Sequence, residues 1–161
     1  MKLFSKIIAS ALLAAGVPVT AAAVYAQDQA IVLKGNVRLV KVTLDDGGEN
    51  SVELVDPDTI VPGDKLIFTT AYSNTSAEPV QNFVVTNPVP PAVRLAADTD
   101  ADLIVSVDDG QNWGRLADLS VEGEDGAVRA ATHADVTHIR WTLATVAPGE
   151  KGQLEYSAII R

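Results

Sequence analysis

The sequence predicts an all-β chain folded as a sandwich of about seven to nine antiparallel strands. After residue 30, no window shows the 3.6-residue apolar period of an amphipathic helix. Several segments instead alternate apolar and polar residues with period two, and Pro-Gly, Asp-Gly and Asn-Pro pairs lie between them. Short alternating segments separated by regular turn signals are typical of β-sandwiches.

The first predicted strand, Ala30 to Leu44, changes phase along its length. Its apolar residues occupy odd positions at first and even positions later: Ile31, Leu33, Val37 and Leu39, then Val40, Val42 and Leu44. Because a slip of one residue exchanges the two faces of a strand, this pattern predicts a β-bulge or a change of sheet. The segment would then serve two sheets or a partner. We therefore separate an N-terminal strand segment, residues 27–51, from a sandwich domain, residues 52–161.

Turn-forming pairs divide the rest of the chain into strands. Asp45 to Ser51 is predicted to be a turn before the short strand Val52 to Val55. In Pro62-Gly63, proline fixes φ at the first turn position and glycine accepts a positive φ at the second. Pro148-Gly149 repeats this chemistry, and Asp109-Gly110 predicts a tight hairpin.

Alternation within the longer strands predicts which side chains face the core. Trp141, in phase with Ile139 and Leu143, is expected to lie between the two sheets, where large aromatic side chains anchor such folds. The other predicted inward-facing residues are Leu66, Phe68, Thr70 and Tyr72, then Leu103, Val105 and Val107, and finally Leu154, Tyr156, Ala158 and Ile160.

Residues 1–26 are predicted to be a signal peptide. Lys2 and Lys6 provide the positive n-region, and the apolar region runs from Ile7 to Val19. Val24-Tyr25-Ala26 supplies small residues for cleavage before Gln27. The alternative, an N-terminal membrane anchor, is less favoured because this run is shorter than the roughly 20 residues of a membrane span. The expected location is the periplasm, or outside the cell, secreted or at the surface.

Composition restricts the function of the processed chain. Cleavage would leave 135 residues (161 minus 26), which is the size of one domain and large enough to fold without the absent disulfides. Without Lys2 and Lys6, 10 of the 12 basic side chains remain against 21 acidic ones, a net charge of −11. Such a surface repels nucleic-acid phosphates and anionic lipids. We expect no nucleic-acid partner and, after cleavage, no membrane span.

Four segments carry a resemblance to a known family: "VPGDKLIFTTAYSN", "NFVVTNPVPPAV", "SVDDGQNW" and "VTHIRWTLATVAPGEKGQLEYSAIIR". Their PGD turn, NP-x-P segment and closing W-x-L…PG…G hairpin resemble one unit of the bacterial conserved repeat domain of surface proteins, the domain of unknown function numbered eleven. The similarity extends from about Val52 to Ile160. It implies an immunoglobulin-like sandwich in exported or surface-attached proteins, and it implies no catalytic residue.

The acidic segment "DTDAD" is a candidate calcium site. Asp98, Asp100 and Asp102 occupy alternate positions, as the first three ligands of a calcium loop do. The sixth position, where such a loop needs glycine, is Leu103, and the twelfth is Asp109 instead of glutamate. A solvated acidic face explains the same residues without a ligand.

Four other residues are weaker candidates. His133 and His138, with Asp135 between them, have ligand chemistry suited to a transition metal, although their spacing fits no known template. Trp113 follows a turn and could stack on a sugar ring or pack at the rim of the core.

No sequence pattern predicts an enzyme. The chain has no Cys nucleophile and no Gly-x-Ser-x-Gly motif. We expect an exported, non-catalytic structural or interaction module of the bacterial cell envelope, with an envelope or surface protein as its partner and no cofactor. Binding would use loops or a strand edge. The alternative is a calcium- or glycan-binding module that uses the acidic loops.

Overall fold

The computed structural model describes residues 30–44, 50–123 and 126–161, and within them nearly all regular structure is β. The predicted signal peptide, its cleavage site and most of the predicted turn over Asp45 to Ser51 lie outside the described residues. Eleven strands are described: β1 Ile31–Leu44, β2 Asn50–Val55, β3 Lys65–Asn74, β4 Val80–Pro88, β5 Val93–Leu95, β6 Ile104–Ser106, β7 Gly114–Arg115, β8 Ser120–Glu122, β9 Val128–Ala130, β10 His138–Val146 and β11 Lys151–Ile160.

The strands form two main antiparallel sheets and a small ribbon. One sheet has the order β2-β1-β3-β11-β5, and the other has the order β4-β10-β6-β7. The ribbon consists of β8 and β9, and a single 3-10 turn, Leu116–Asp118, precedes it. The predicted all-β sandwich is confirmed. Strands β5, β7, β8 and β9 were not predicted, because two or three residues are too few to show a period by themselves. β6 is equally short, but it lies within the longer alternation of Leu103, Val105 and Val107.

The pairing of β3 with β11 forms the centre of the five-stranded sheet. Its register is unbroken from Lys65 opposite Ile159 to Ser73 opposite Lys151. A Pro-Gly turn leads into each of the two strands and hydrogen-bonds to the far end of the other. The two turns therefore hold the pair at both ends.

The turn before β3 contains Gly63 at φ 97°, as predicted. Asp64 closes it, because its N–H donates to the Val61 carbonyl at 3.1 Å and its carboxylate accepts the Val61 N–H at 2.9 Å. The Gly63 N–H donates to the carbonyl of Ile160, the last residue of β11, at 3.0 Å.

The turn before β11 has the same construction. Gly149 has φ 76°. The Glu150 N–H donates to the Ala147 carbonyl at 3.0 Å, and its carboxylate accepts the Ala147 N–H at 2.7 Å. The Gly149 N–H donates to the carbonyl of Asn74, the last residue of β3, at 3.0 Å.

An aromatic cluster joins the two sheets. Phe68 and Tyr156 are cross-strand neighbours on β3 and β11, and their rings stack with centroids 4.8 Å apart. Trp141 of the opposite sheet contacts Tyr156 with centroids 6.3 Å apart, so it lies between the sheets as predicted. Burial raises the pKa of Tyr156 to about 12. The cluster packs beside Ile139 and Ala158, which are fully buried.

The predicted bulge or change of sheet in β1 is wrong. Its ladder to β3 is continuous from Ile31 to Leu39, and its ladder to β2 is continuous from Leu39 to Leu44. The whole strand therefore lies in one sheet. It pairs with β3 up to Leu39 and with β2 from Leu39 onward. The described part of segment 27–51 belongs to this sheet, and the proposed division at residue 52 falls inside β2.

Asn74 fastens the end of β3 to the neighbouring loop and to β10. Its side chain is 1% exposed. The amide nitrogen donates to the carbonyls of Glu78 at 2.8 Å and Val146 at 2.9 Å. The amide oxygen accepts from the backbone and hydroxyl of Ser76, at 3.0 and 2.8 Å. With both amide protons in use, Asn74 is a structural residue of the turn.

We predict that Asn74→Ala lowers the free energy of unfolding by about 2–3 kcal/mol, because the buried Val146 carbonyl loses its side-chain donor. Denaturant unfolding measures this loss. The matched control, Asn36→Ala, alters an exposed asparagine of β1 and should change stability by less than about 0.5 kcal/mol. Equal losses in the two variants would contradict the assigned role.

Candidate functional site

The outer part of β1 and the whole of β2 form a hairpin that extends beyond β3. The ladder between β1 and β3 ends where Leu39 meets Leu66, while the ladder between β1 and β2 continues to Leu44 opposite Asn50. Within the described residues, no third strand pairs with this outer part or with the outer edge of β2. We call it the β1–β2 hairpin, Leu39–Leu44 with Asn50–Val55.

The two faces of the β1–β2 hairpin differ in chemistry. On one face, Val40 lies opposite Leu54, and Val42 lies opposite Val52. Leu44 continues this row toward the tip, and these five residues constitute the apolar face. The other face carries Lys41 opposite Glu53 and Thr43 opposite Ser51.

The apolar face is largely exposed to solvent. The exposed fractions are 58% for Val42, 72% for Leu44, 65% for Val52 and 51% for Leu54, and Val40 is half-buried. Single exposed apolar residues are normal, but a contiguous row of them marks an interaction surface. Val40, Val42 and Leu44 are the even-numbered apolar residues that follow the phase change in the sequence of β1. They belong to an outward-facing apolar surface and not to a second sheet.

An ion pair borders the apolar face at its base. Arg38 directly precedes Leu39 and Asp56 directly follows Val55, and the Arg38 guanidinium donates to the Asp56 carboxylate at 2.7 Å. Both side chains are exposed, so the pair contributes little to stability. It leaves the base of the apolar face without net charge.

The three carboxylates of the candidate calcium site have separate partners. Asp98 accepts hydrogen bonds from Lys65 and Ser157, and these bonds, Lys65 first, hold its pKa below the ordinary value. Asp100 accepts the N–H of Asp102 at 2.9 Å. Asp102 itself forms an ion pair with Arg115 at 3.2 Å. The structure therefore does not bring the three together around one point.

The three residues of the candidate transition-metal site, His133, Asp135 and His138, also make different contacts. Asp135 accepts two parallel hydrogen bonds from the Arg129 guanidinium, at 2.7 and 2.8 Å, and two more from Thr132. Arg129 is the main cause of the lowered pKa of Asp135. His133 lines a cavity of about 450 Å³, whereas His138 contacts Thr137 at 3.2 Å. Over the described ranges, no group of three or more His, Cys, Asp or Glu residues can hold a metal ion.

Asp108 organises the hairpin between β6 and β7. Its carboxylate accepts the backbone N–H groups of Asn112 at 2.9 Å and Gln111 at 3.1 Å, and the Ser106 hydroxyl at 2.7 Å. These hydrogen bonds, with the Asn112 N–H first, lower its pKa to about 2. The predicted turn at Asp109-Gly110 is present, with φ 58° and 85°. The hairpin is not tight as predicted, because residues 106–113 separate the paired residues Val105 and Gly114.

Trp113 closes the same loop. Its indole N–H donates to the Gly110 carbonyl at 2.8 Å, and the Arg140 guanidinium lies 3.6 Å from the ring centroid. His138 meets the ring edge-on. One ring face is thus covered by Arg140, and the half-buried ring packs at the rim of the fold. The stacking surface needed for a sugar ring is reduced accordingly.

Comparison with known proteins adds no family. No protein-family model, curated protein or solved structure matches the chain. The resemblance to the conserved repeat domain therefore depends on the quoted motifs alone. Within the described ranges, no helix has the length and apolar character needed to span a membrane.

We predict that calcium does not raise the melting temperature of the chain, because Asp98, Asp100 and Asp102 are directed to separate partners. Thermal unfolding at increasing calcium concentration, with magnesium as the matched cation, measures this. A rise of several degrees with calcium alone would favour the calcium-binding alternative.

We predict that Asp108→Asn reduces stability near neutral pH and also flattens its dependence on pH. The folded-state pKa of about 2 lies below the ordinary aspartate value of 3.8, so the ionised carboxylate stabilises the fold above that value. The stabilisation is lost as the pH falls from about 4 toward 2. Urea midpoints measured near pH 7 and near pH 3 give both quantities.

The control for this prediction is Asp109→Asn. It removes the same charge from the adjacent residue, and asparagine tolerates its φ of 58°. This variant should keep the pH dependence of the wild type, to which Asp98 and Asp135 also contribute. The same flattening in both variants would assign the effect to overall charge instead of the Asp108 loop.

Proposed function

We propose that this chain is an exported, non-catalytic structural or interaction module of the bacterial cell envelope, and that it binds its partner through the apolar face of the β1–β2 hairpin. Export would place it in the periplasm or outside the cell, secreted or at the surface. The partner is an envelope or surface protein, and the fold would be the immunoglobulin-like unit that the quoted motifs resemble.

The observation that carries this proposal is the exposed apolar row on an edge hairpin. Val42, Val52 and Leu54 contribute nothing to the core, because they lie on the outer face of the five-stranded sheet, away from the opposite sheet. Leaving such side chains in water is unfavourable by about 25 cal/mol for each Å² that a partner could cover. An exposed apolar hairpin is also an aggregation hazard. A binding role explains why it is present.

The assignment to the envelope is supported by the sequence. The N-terminal charges, the apolar run and the small residues at Val24-Tyr25-Ala26 are the features that export machinery reads. A chain without Cys needs no disulfide, so its fold does not depend on the redox state of the compartment.

The non-catalytic part of the proposal is supported by how the polar side chains are used. Asp108, Asp135 and Trp113 are the most chemically distinctive residues in the described loops, and each holds its loop together by hydrogen bonds. Groups committed to such bonds are poorly placed to act as an acid, a base or a stacking platform.

The test is in-cell crosslinking from the hairpin. We expect that a bacterial host will export the chain and that its envelope fraction will contain the processed chain beginning at Gln27. We also expect that a photoreactive phenylalanine in place of Val52 will crosslink the chain to an envelope protein. Val52 lies on the apolar face and is 65% exposed, so the probe does not disturb the core. Mass spectrometry identifies the new N-terminus and the captured protein.

The matched control places the same probe at Ser51, the adjacent residue on the polar face. It should give several-fold less crosslinked product. A chain that remains in the cytoplasm would contradict the localisation. Equal crosslinking from Ser51 and Val52 would contradict the assigned surface.

A further inference from the structure

We propose that the partner of the apolar face is a second copy of this chain, and that two β1–β2 hairpins stack face to face across a two-fold axis. This inference names the occupant of the surface assigned under the proposed function and rests on that assignment. It requires neither export nor the family resemblance.

The order of side chains along the hairpin makes the face self-complementary. From base to tip, the hairpin presents the Arg38–Asp56 ion pair and then three cross-strand pairs on one face: Val40 with Leu54, Val42 with Val52, and Leu44 with Asn50. A neutral ion pair therefore lies at one end, an amide lies at the other, and aliphatic side chains fill the space between them.

A two-fold axis through the centre of this face places the polar groups at each end of one copy opposite the polar groups of the other copy. With the axis between the Val40–Leu54 pair and the Val42–Val52 pair, the tip of one hairpin meets the base of the other. The Asn50 amide of each copy then faces the Arg38–Asp56 pair of its partner, and it can donate to the carboxylate and accept from the guanidinium. The aliphatic rows meet each other, and no charged side chain enters the apolar centre.

Addition of a strand to β2 is a poorer use of the same hairpin. Two β2 strands that pair edge to edge would leave both apolar rows in water, because side chains stand perpendicular to the plane of a sheet. Face-to-face stacking covers them, and an isologous contact closes after two copies instead of growing into a fibre.

The matched pair Val42→Asp and Thr43→Asp tests the proposal, since it puts the same charge on the same strand, once on each face. Sedimentation equilibrium of the exported chain should show a monomer–dimer equilibrium for the wild type and for Thr43→Asp. Val42→Asp should raise the dimer dissociation constant about 100-fold, as loss of a central interface contact does. Val42 is 58% exposed, so both variants should fold, and their unfolding midpoints check this.

A second readout uses the absence of Cys from the chain. Val42→Cys, treated with a short bis-maleimide, should give a covalent dimer in several-fold higher yield than Thr43→Cys, because only position 42 faces its copy. Higher salt should not dissociate the wild-type dimer, since the contact is apolar.

Four outcomes would overturn the proposal. They are a wild type that remains monomeric at every concentration, equal dissociation constants for the two Asp variants, equal yields for the two Cys variants, and dimers that dissociate in high salt.

A monomeric chain that still crosslinks to a different envelope protein from Val52 overturns self-pairing and leaves the proposed function intact. A dimer in solution that never reaches the envelope supports self-pairing and removes the proposed function.

Discussion

The antiparallel pairing of β3 with β11 is the constraint on which the rest of the structure depends. Two turns of the form apolar-Pro-Gly-acid bracket this pair, and each ties the start of one strand to the end of the other. Since side chains alternate strictly along a strand, one fixed register decides the orientation of every residue in both strands. It brings Phe68 against Tyr156, and Trp141 of the opposite sheet completes the contact between the layers.

The same constraint explains the exposed hairpin. The pairing of β1 with β3 fixes which side chains of β1 face the core. Up to Leu39, the odd-numbered residues of β1 point into the sandwich. Beyond Leu39 the pleat continues but the opposite layer does not, and the odd positions become Lys41 and Thr43. The aliphatic residues move to the even positions and face outward. The apolar face therefore results from a regular strand that outruns the core beneath it.

The acidic loops have a different role from the hairpin. Asp98, Asp108 and Asp135 are solvent-accessible or near the surface, yet each carboxylate is occupied by donors from its own loop or from a neighbouring strand. Their hydrogen bonds hold loops that lack regular structure. These loops are separate from the β1–β2 hairpin, where we propose that association occurs.

The sequence by itself determined the all-β class, the three glycine turns, the long strands and the inward side of Trp141 and Tyr156. These features follow from period-two alternation and from φ restrictions, which act over a few residues. The short strands β5 and β7, with three and two residues, leave no such signal. The sequence also marked the phase change in β1 and the acidic residues. Only the tertiary structure decided that the phase change is an outward-facing surface, and that Asp98, Asp100 and Asp102 have separate partners. Both depend on which strands are adjacent and where the opposite sheet ends, and those are contacts between residues far apart in the chain.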